Sequence, residues 1–215
     1  MRHRLFQSVS TMAAMVVLLM LGLLQLALPG LAQSPPPGTV KIEDFVYAGT
    51  GCPPGSAGGI ISLTGKQLTV AFSAYNVSTP GSPAGRRKNC QVAVSLSFPA
   101  GFTFTLVIVT FRGFAEFQEG VQGTLVASYY LAGIEQTERV VKNLPPPVRD
   151  NFNFTDSFPA FIYPQCNSTS VLLNINSEAR VVPPPPPMNN NEGVINVDAQ
   201  DLALIQQFSL TWRSC

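Results

Sequence analysis

From Val40 onward the side chains alternate as in a strand: Val40, Ile42, Asp44 and Val46 lie on one side of a run whose other side carries Lys41, Glu43, Phe45 and Tyr47. A two-residue period is the signature of a β-strand. Segments at 60–63 and 68–72, around Thr64-Gly65-Lys66, read as a hairpin. Cys90 then opens the alternating run Val92, Val94, Leu96, Phe98. After Pro99-Ala100-Gly101 comes the longest candidate, 102–111, in which Phe102, Phe104, Leu106 and Ile108 oppose Thr103, Thr105, Val107, Val109 and Phe111. Largely apolar on both faces, it is expected at the centre of a sheet. Further strands are expected at 123–131, 136–141, 152–158, 170–175 and 202–213, separated by turns rich in Gly, Pro or Asn. No segment carries a capped helical period. About ten short strands in one chain of this length predict an all-β, two-sheet antiparallel β-sandwich, with jelly-roll and immunoglobulin-like topologies both open.

Proline and glycine punctuate the pattern. The dense turn region 49–59 precedes the hairpin, 79–85 forms a Pro/Gly loop, and Pro145–Pro147 and Pro183–Pro187 cannot donate ladder hydrogen bonds and read as loops. The five-proline run could serve as a polyproline ligand, but a stiff surface loop is the simpler expectation.

The pattern is different ahead of the first strand. Arg2, His3 and Arg4 precede an apolar stretch, Met12 to Leu28, and Pro29-Gly30-Leu31-Ala32 ends in the small residues a signal peptidase accepts. Residues 1–32 are therefore expected to be a signal peptide, 33–39 a Pro-rich linker, and 40–215 a secreted β-sandwich domain. An uncleaved anchor is the competing reading, disfavoured because the apolar run is near the lower length for a membrane span. Export makes the protein secreted, to the extracellular space or cell envelope, with no membrane association after signal removal.

Export gives the cysteines their meaning. All four, Cys52, Cys90, Cys166 and Cys215, follow the leader, and an even count in an exported chain implies two disulfides. Three connectivities are possible; we expect Cys52 with Cys90 and Cys166 with Cys215, since each pair flanks a β-rich segment. A four-cysteine metal site is disfavoured because no C-x-x-C pair exists.

Charge excludes more than it suggests. Charged residues are 12% of the chain, and removing Arg2 and Arg4 from 13 basic residues leaves 11 against 12 acidic ones. A net of −1 attracts neither nucleic acid nor an anionic membrane. The single histidine, His3, lies in the leader, so the mature chain is expected to lack Ser-His-Asp and Cys-His catalysis and histidine metal sites. Carboxylates remain: Glu43 with Asp44, Glu116 with Glu119, Asp150 with Asp156, and Asp198 with Asp201. Each pair is more simply a set of solvated turn and edge charges, and no catalytic residue is assigned. Asn196, Asp198 and Asp201 suggest calcium only faintly, and Pro53 and Pro54 spoil Gly49-Thr50-Gly51 as a phosphate loop, so no metal and no cofactor is expected. Arg86-Arg87-Lys88 is the one basic cluster and reads as a solvated loop.

Aromatic residues offer the best hint of binding. Arg112, Phe114, Phe117, Tyr129 and Tyr130 lie in or beside two successive strands, and Arg112, Tyr129 and Tyr130 are the candidate binding surface for a glycan or protein. Alternation allows only one of Tyr129 and Tyr130 to face the core. Asn76, Asn153 and Asn167 each head a glycosylation sequon.

Several of these segments, in order, resemble an uncharacterised family of small secreted proteins, a domain of unknown function: Gly49-Thr50-Gly51-Cys52-Pro53-Pro54-Gly55-Ser56, Arg87-Lys88-Asn89-Cys90-Gln91, Pro99-Ala100-Gly101-Phe102, Phe111-Arg112-Gly113, Leu173-Asn174-Ile175-Asn176 and Trp212-Arg213-Ser214-Cys215. The resemblance spans about 40–215 and implies export, two disulfides and one compact β-domain; it brings no activity, substrate or catalytic residue to carry over. The chain departs from the family pattern at Phe111, where the family carries tyrosine, and in the insert Pro183–Pro187. The reading expected is a non-enzymatic extracellular binding or surface-structural module; a carboxylate-dependent polysaccharide hydrolase and a secreted inhibitor or effector are the alternatives.

Overall fold

The structure is a computed structural model that describes residues 34–144, 148–196 and 203–215. The expected signal peptide, Pro145–Pro147, Asp198 and Asp201 lie outside the described residues. Among those described there is no helix. The strands are β1 (Lys41–Ala48), β2 (Ala57–Ile61), β3 (Gln67–Phe72), β4 (Val77–Thr79), β5 (Arg87–Ser97), β6 (Phe102–Phe117), β7 (Gln122–Leu131), β8 (Thr137–Leu144), β9 (Val148–Ser157), β10 (Ser170–Val182), β11 (Gly193–Asn196) and β12 (Leu204–Ser214).

They form two antiparallel sheets. One runs β1-β5-β10-β7-β8; the other runs β2-β3-β12-β6, with β9 along the far side of β6. β11 pairs with β6 at Phe114–Phe117, just beyond the stretch that β12 occupies, and β4 extends the same sheet beside β11. Four-strand blocks β3-β12-β6-β9 and β5-β10-β7-β8 follow the jelly-roll order, with β1 and β2 added at one edge. That resolves the topology the alternation left open.

Inward positions meet between the sheets. Val92, Val94, Leu96 and Phe98 of β5 and Leu173, Ile175, Ala179 and Val181 of β10 pack toward Phe104, Leu106, Val109, Phe111, Phe208 and Trp212. Trp212 touches the rings of Phe98 and Phe104, and its Nε1 donates to Gly65 O at 2.8 Å. Tyr75 donates its hydroxyl to Ser177 O at 2.8 Å, and Ser177 accepts from Gln206 Nε2 at 2.8 Å. This polar link therefore joins the two sheets inside the core. Disulfides connect Cys52 to Cys90 and Cys166 to Cys215, with Cα separations of 5.6 and 5.5 Å.

The expected strands are present, and the central strand is central, but β6 runs six residues past Phe111. Gly113 does not turn the chain. It sits in the ladder because a Cβ there would come within 2.8 Å of Leu204 and the Phe152 ring. β4 and β11, only three and four residues long, were not expected. The Pro-rich stretch ahead of β1 is held to the domain: Pro35 is buried and Gly38 N donates to Leu63 O at 2.7 Å.

Candidate glycan-binding face

Directly opposed residues in neighbouring strands point to the same side of a sheet. On the outer side of the five-stranded sheet the registers generate three cross-strand rows. The middle row is Val46, Ala93, Asn174, Tyr130 and Thr137. Asp44, Ser95 and Leu172 form the row on one side of it. On the other lies Ala48, Gln91, Asn176, Ser128 and Arg139. The resulting face is small and polar at its centre, with amides from two adjacent strands and one ring.

Strand alternation creates it. In Asn89-Cys90-Gln91 the cysteine goes to the core and both amides take the outer side; in Leu173-Asn174-Ile175-Asn176 the aliphatic residues go in and both asparagines take the outer side, Asn176 exposed and Asn174 buried there by its neighbours. Gln91 Nε2 is shielded from solvent and donates to no described acceptor. Val46, Leu172, Tyr130 and Val141 supply exposed apolar surface on the same face. Beyond the amides the charges pair with each other, Arg87 Nη2 lying 2.6 Å from Glu178 Oε2. That hydrogen bond holds the Arg87 guanidinium above its usual value. Arg87, of the basic cluster, is thus partly neutralised in place.

The three residues expected to share a binding surface do not. Tyr129 is wholly buried, its ring against Phe158 and its hydroxyl donating to Leu106 O at 3.2 Å. Burial raises its phenol above the usual value. Tyr130 is 37% exposed on the outer face just described. Arg112 is opposed to Ile205 and Asn153 in the other sheet and faces away from Tyr130, with the sandwich between them. Of the trio, only Tyr130 belongs to the face. Phe111 is buried too, so a tyrosine hydroxyl at that position would not reach an external site. Asn76, Asn153 and Asn167 are all exposed.

Among the described residues, neither a phosphate loop nor any of the carboxylate pairs expected from the sequence is assembled at the other candidates. Gly49-Thr50-Gly51 is a structural clasp on β5: Gly51 N donates to Asn89 O at 2.9 Å and Asn89 N donates to Thr50 Oγ1 at 3.2 Å. A Cβ at Gly49 would come within 2.2 Å of Asn89 O, and one at Gly51 within 2.6 Å of the Tyr75 ring. Glu43 accepts from Ser97 Oγ, and Asp44 accepts from the Phe45 amide. Asp150 and Asp156 lie six residues apart on β9, about 20 Å of strand. Glycosidase carboxyl pairs sit within roughly 10 Å. Glu116 pairs with Arg149 at 3.4 Å. It shares a cavity of about 450 Å³ with Ser78, Gln118 and Glu192, but not with Glu119. Among the described residues no three His, Cys, Asp or Glu side chains gather to hold a metal ion.

The amide face was readable only in part. The motif residues Asn89, Gln91, Asn174 and Asn176 were visible in the sequence, but their common face depends on β5 and β10 being neighbours. Two polar amides alternating with buried apolar residues in each strand was the signal that could have found it.

A relative from Arthroderma benhamiae, an uncharacterized secreted protein, is 28% identical over 190 residues, covering 86% of this chain and 76% of the relative. Among solved structures, the carbohydrate-binding module TmCBM61 in complex with β-1,4-galactotriose overlaps 79% of this chain and 90% of its own at 9% identity and a TM-score of 0.29. A family 11 carbohydrate-binding module from Clostridium thermocellum, in complex with a mixed-linked tetrasaccharide, gives 10% identity, the same coverages and a TM-score of 0.25. At those scores the likeness establishes neither ligand nor site. The model for a domain of unknown function, DUF4360, matches residues 38–215, and the chain belongs to that family.

Proposed function

We propose that this is a secreted, non-catalytic module that binds glycan on the outer face of the five-stranded sheet. The observation that carries the reading is the amide row on this face: Asn176 is exposed beside the exposed ring of Tyr130, with Gln91 half-buried and Asn174 only 7% exposed between them and the small residues Ala93, Ser95 and Ser128 around them. Amides offer both donors and acceptors to sugar hydroxyls, and an exposed ring stacks on the apolar side of a pyranose. The two disulfides fit an oxidising compartment. On this reading residues 1–32 direct export, 40–215 form the module, and 33–39 join them.

The test is retention of the disulfide-intact protein on insoluble polysaccharides and cell-wall fractions, alongside Tyr130→Ala and a reduced sample. Retention of the native protein, lost in both comparisons, is expected. A native protein retained on none of the fractions would redirect the search to a protein partner.

A further inference from the structure

A cavity of about 460 Å³ opens at one end of the amide face. Its floor is Ser95 and Leu172, the row next to Ala93, Asn174 and Tyr130. Adjacent rows on one side of a strand are about 7 Å apart, so the cavity floor lies one row beyond the row of Tyr130. One wall is the turn between β7 and β8, including Gly133 at φ +83°, which Ala132 N ties to Leu172 O at 3.0 Å. The opposite wall is the segment before β10, fixed by Thr103 Oγ1 donating to Pro164 O at 2.8 Å and by Ser168 N donating to Gln165 O at 3.0 Å. Cys166 lies within that wall and is bonded to Cys215.

None of the lining residues carries a charge; hydroxyls of Ser95, Ser168 and Ser170 and the amide of Gln165 are set among Ile134, Val171 and Leu172. The size suits a small-molecule site. The composition suits a neutral ligand with many hydroxyls and an apolar side, since an ionic group here would meet no counter-charge. Its two walls stand at the end of the face where β7 ends and β10 begins, so a ligand lying over Tyr130 along the strands would bring its end to the cavity.

Resting on the glycan-binding reading above, we infer that this cavity receives the terminal unit of a neutral glycan chain, making the protein a reader of chain ends. The exposed Cys166–Cys215 bond would then hold one wall of the subsite in place.

The experiment starts from a panel of neutral glucan, mannan, galactan and xylan and continues with whichever polymer the native protein binds. That polymer is cut to increasing extents with an endo-acting hydrolase, and binding capacity per unit mass is compared with the number of chain ends. A borohydride-reduced series separates reducing from non-reducing ends. Native protein is compared with Ser95→Glu and Ser170→Glu, two substitutions at outward-facing strand positions, with melting curves to confirm folding, and with Tyr130→Ala. Capacity rising in proportion to chain ends, with at least tenfold weaker binding by both glutamate variants, is expected. Capacity fixed by mass, with both variants binding like the native protein while Tyr130→Ala fails, would overturn the chain-end inference and leave the face intact. If the native protein bound no member of the panel, both readings would fall.

Discussion

Tyr129 and Tyr130 show how much one residue's parity decides. Tyr129 donates its hydroxyl within the core and packs on Phe158, whereas Tyr130 stands on the outer face opposite Asn174. Truncating the first, Tyr129→Ala, is expected to cost about 3–5 kcal/mol in denaturant unfolding, the usual range for deleting a buried ring. Tyr130→Ala should cost well under about 1 kcal/mol while abolishing retention on glycan. The sequence indicated that one ring points in and one out, but not which. Val126, on the outward side of β7, is buried like its inward neighbours Leu125 and Ala127, so hydrophobicity alone gives that strand no inside. The parity is fixed by pairing with β10, a contact between distant parts of the chain. At Gly49 the constraint is backbone against backbone. Gly49→Ala is expected to lower stability by about 1–3 kcal/mol, because Asn89 cannot retreat without disturbing β5 beside Cys90; a melting temperature equal to that of the native protein would refute the clasp.

At the scale of elements, alternation located the longer strands well and their ends poorly. β6 and β10 outran expectation because Asn176, Glu178 and Arg180 pair with strands on both sides and Gly113 is carried in the ladder opposite Phe152 of β9. β4 and β11 were missed since three or four residues carry too little period to register. The edges where β8 and β9 meet show a device that composition conceals: Lys142 and Asp156 lie 3.3 Å apart, and Lys142 also lies 5.1 Å from the centre of the Phe154 ring. Charges at such a rim discourage pairing with another chain.

The link between the sheets also makes stability depend on pH. Burial raises the Tyr75 phenol above its ordinary value of 10.0, and Tyr129 shifts the same way. A neutral phenol is the form the fold prefers. Its contribution is therefore complete below pH 10, where the unfolded chain is also neutral, and declines as pH climbs toward the folded-state value. Melting temperature should hold to about pH 10 and fall above it, more shallowly in Tyr75→Phe; a native curve flat to pH 11.5 would contradict this. The two disulfides should separate on mild reduction. Cys52 and Cys90 are buried and Cys166 and Cys215 exposed, so alkylation mapped by mass spectrometry is expected at the second pair first. Opening that 49-residue separation removes about 4 kcal/mol in the chain-entropy model.

At the scale of the molecule, the fold class was legible because it depends on local period, and the disulfide pairs because each pair flanks a β-rich segment of the chain. The jelly-roll order was not, since it requires knowing which distant strands pair. The same gap separated the motif amides from their common face and led Arg112 to be grouped with Tyr130, from which the whole sandwich divides it. The sandwich thus has two outer faces of different character: the amide face, and the Arg112 face that also carries Asn153. The central claim is that only the first binds glycan. Calorimetric titration of a soluble neutral glycan into Asn176→Ala, and into Thr110→Ala on the opposite face, tests it most directly. The account predicts a loss of about tenfold in affinity for Asn176→Ala and native affinity for Thr110→Ala; weakened binding by Thr110→Ala alone would contradict it.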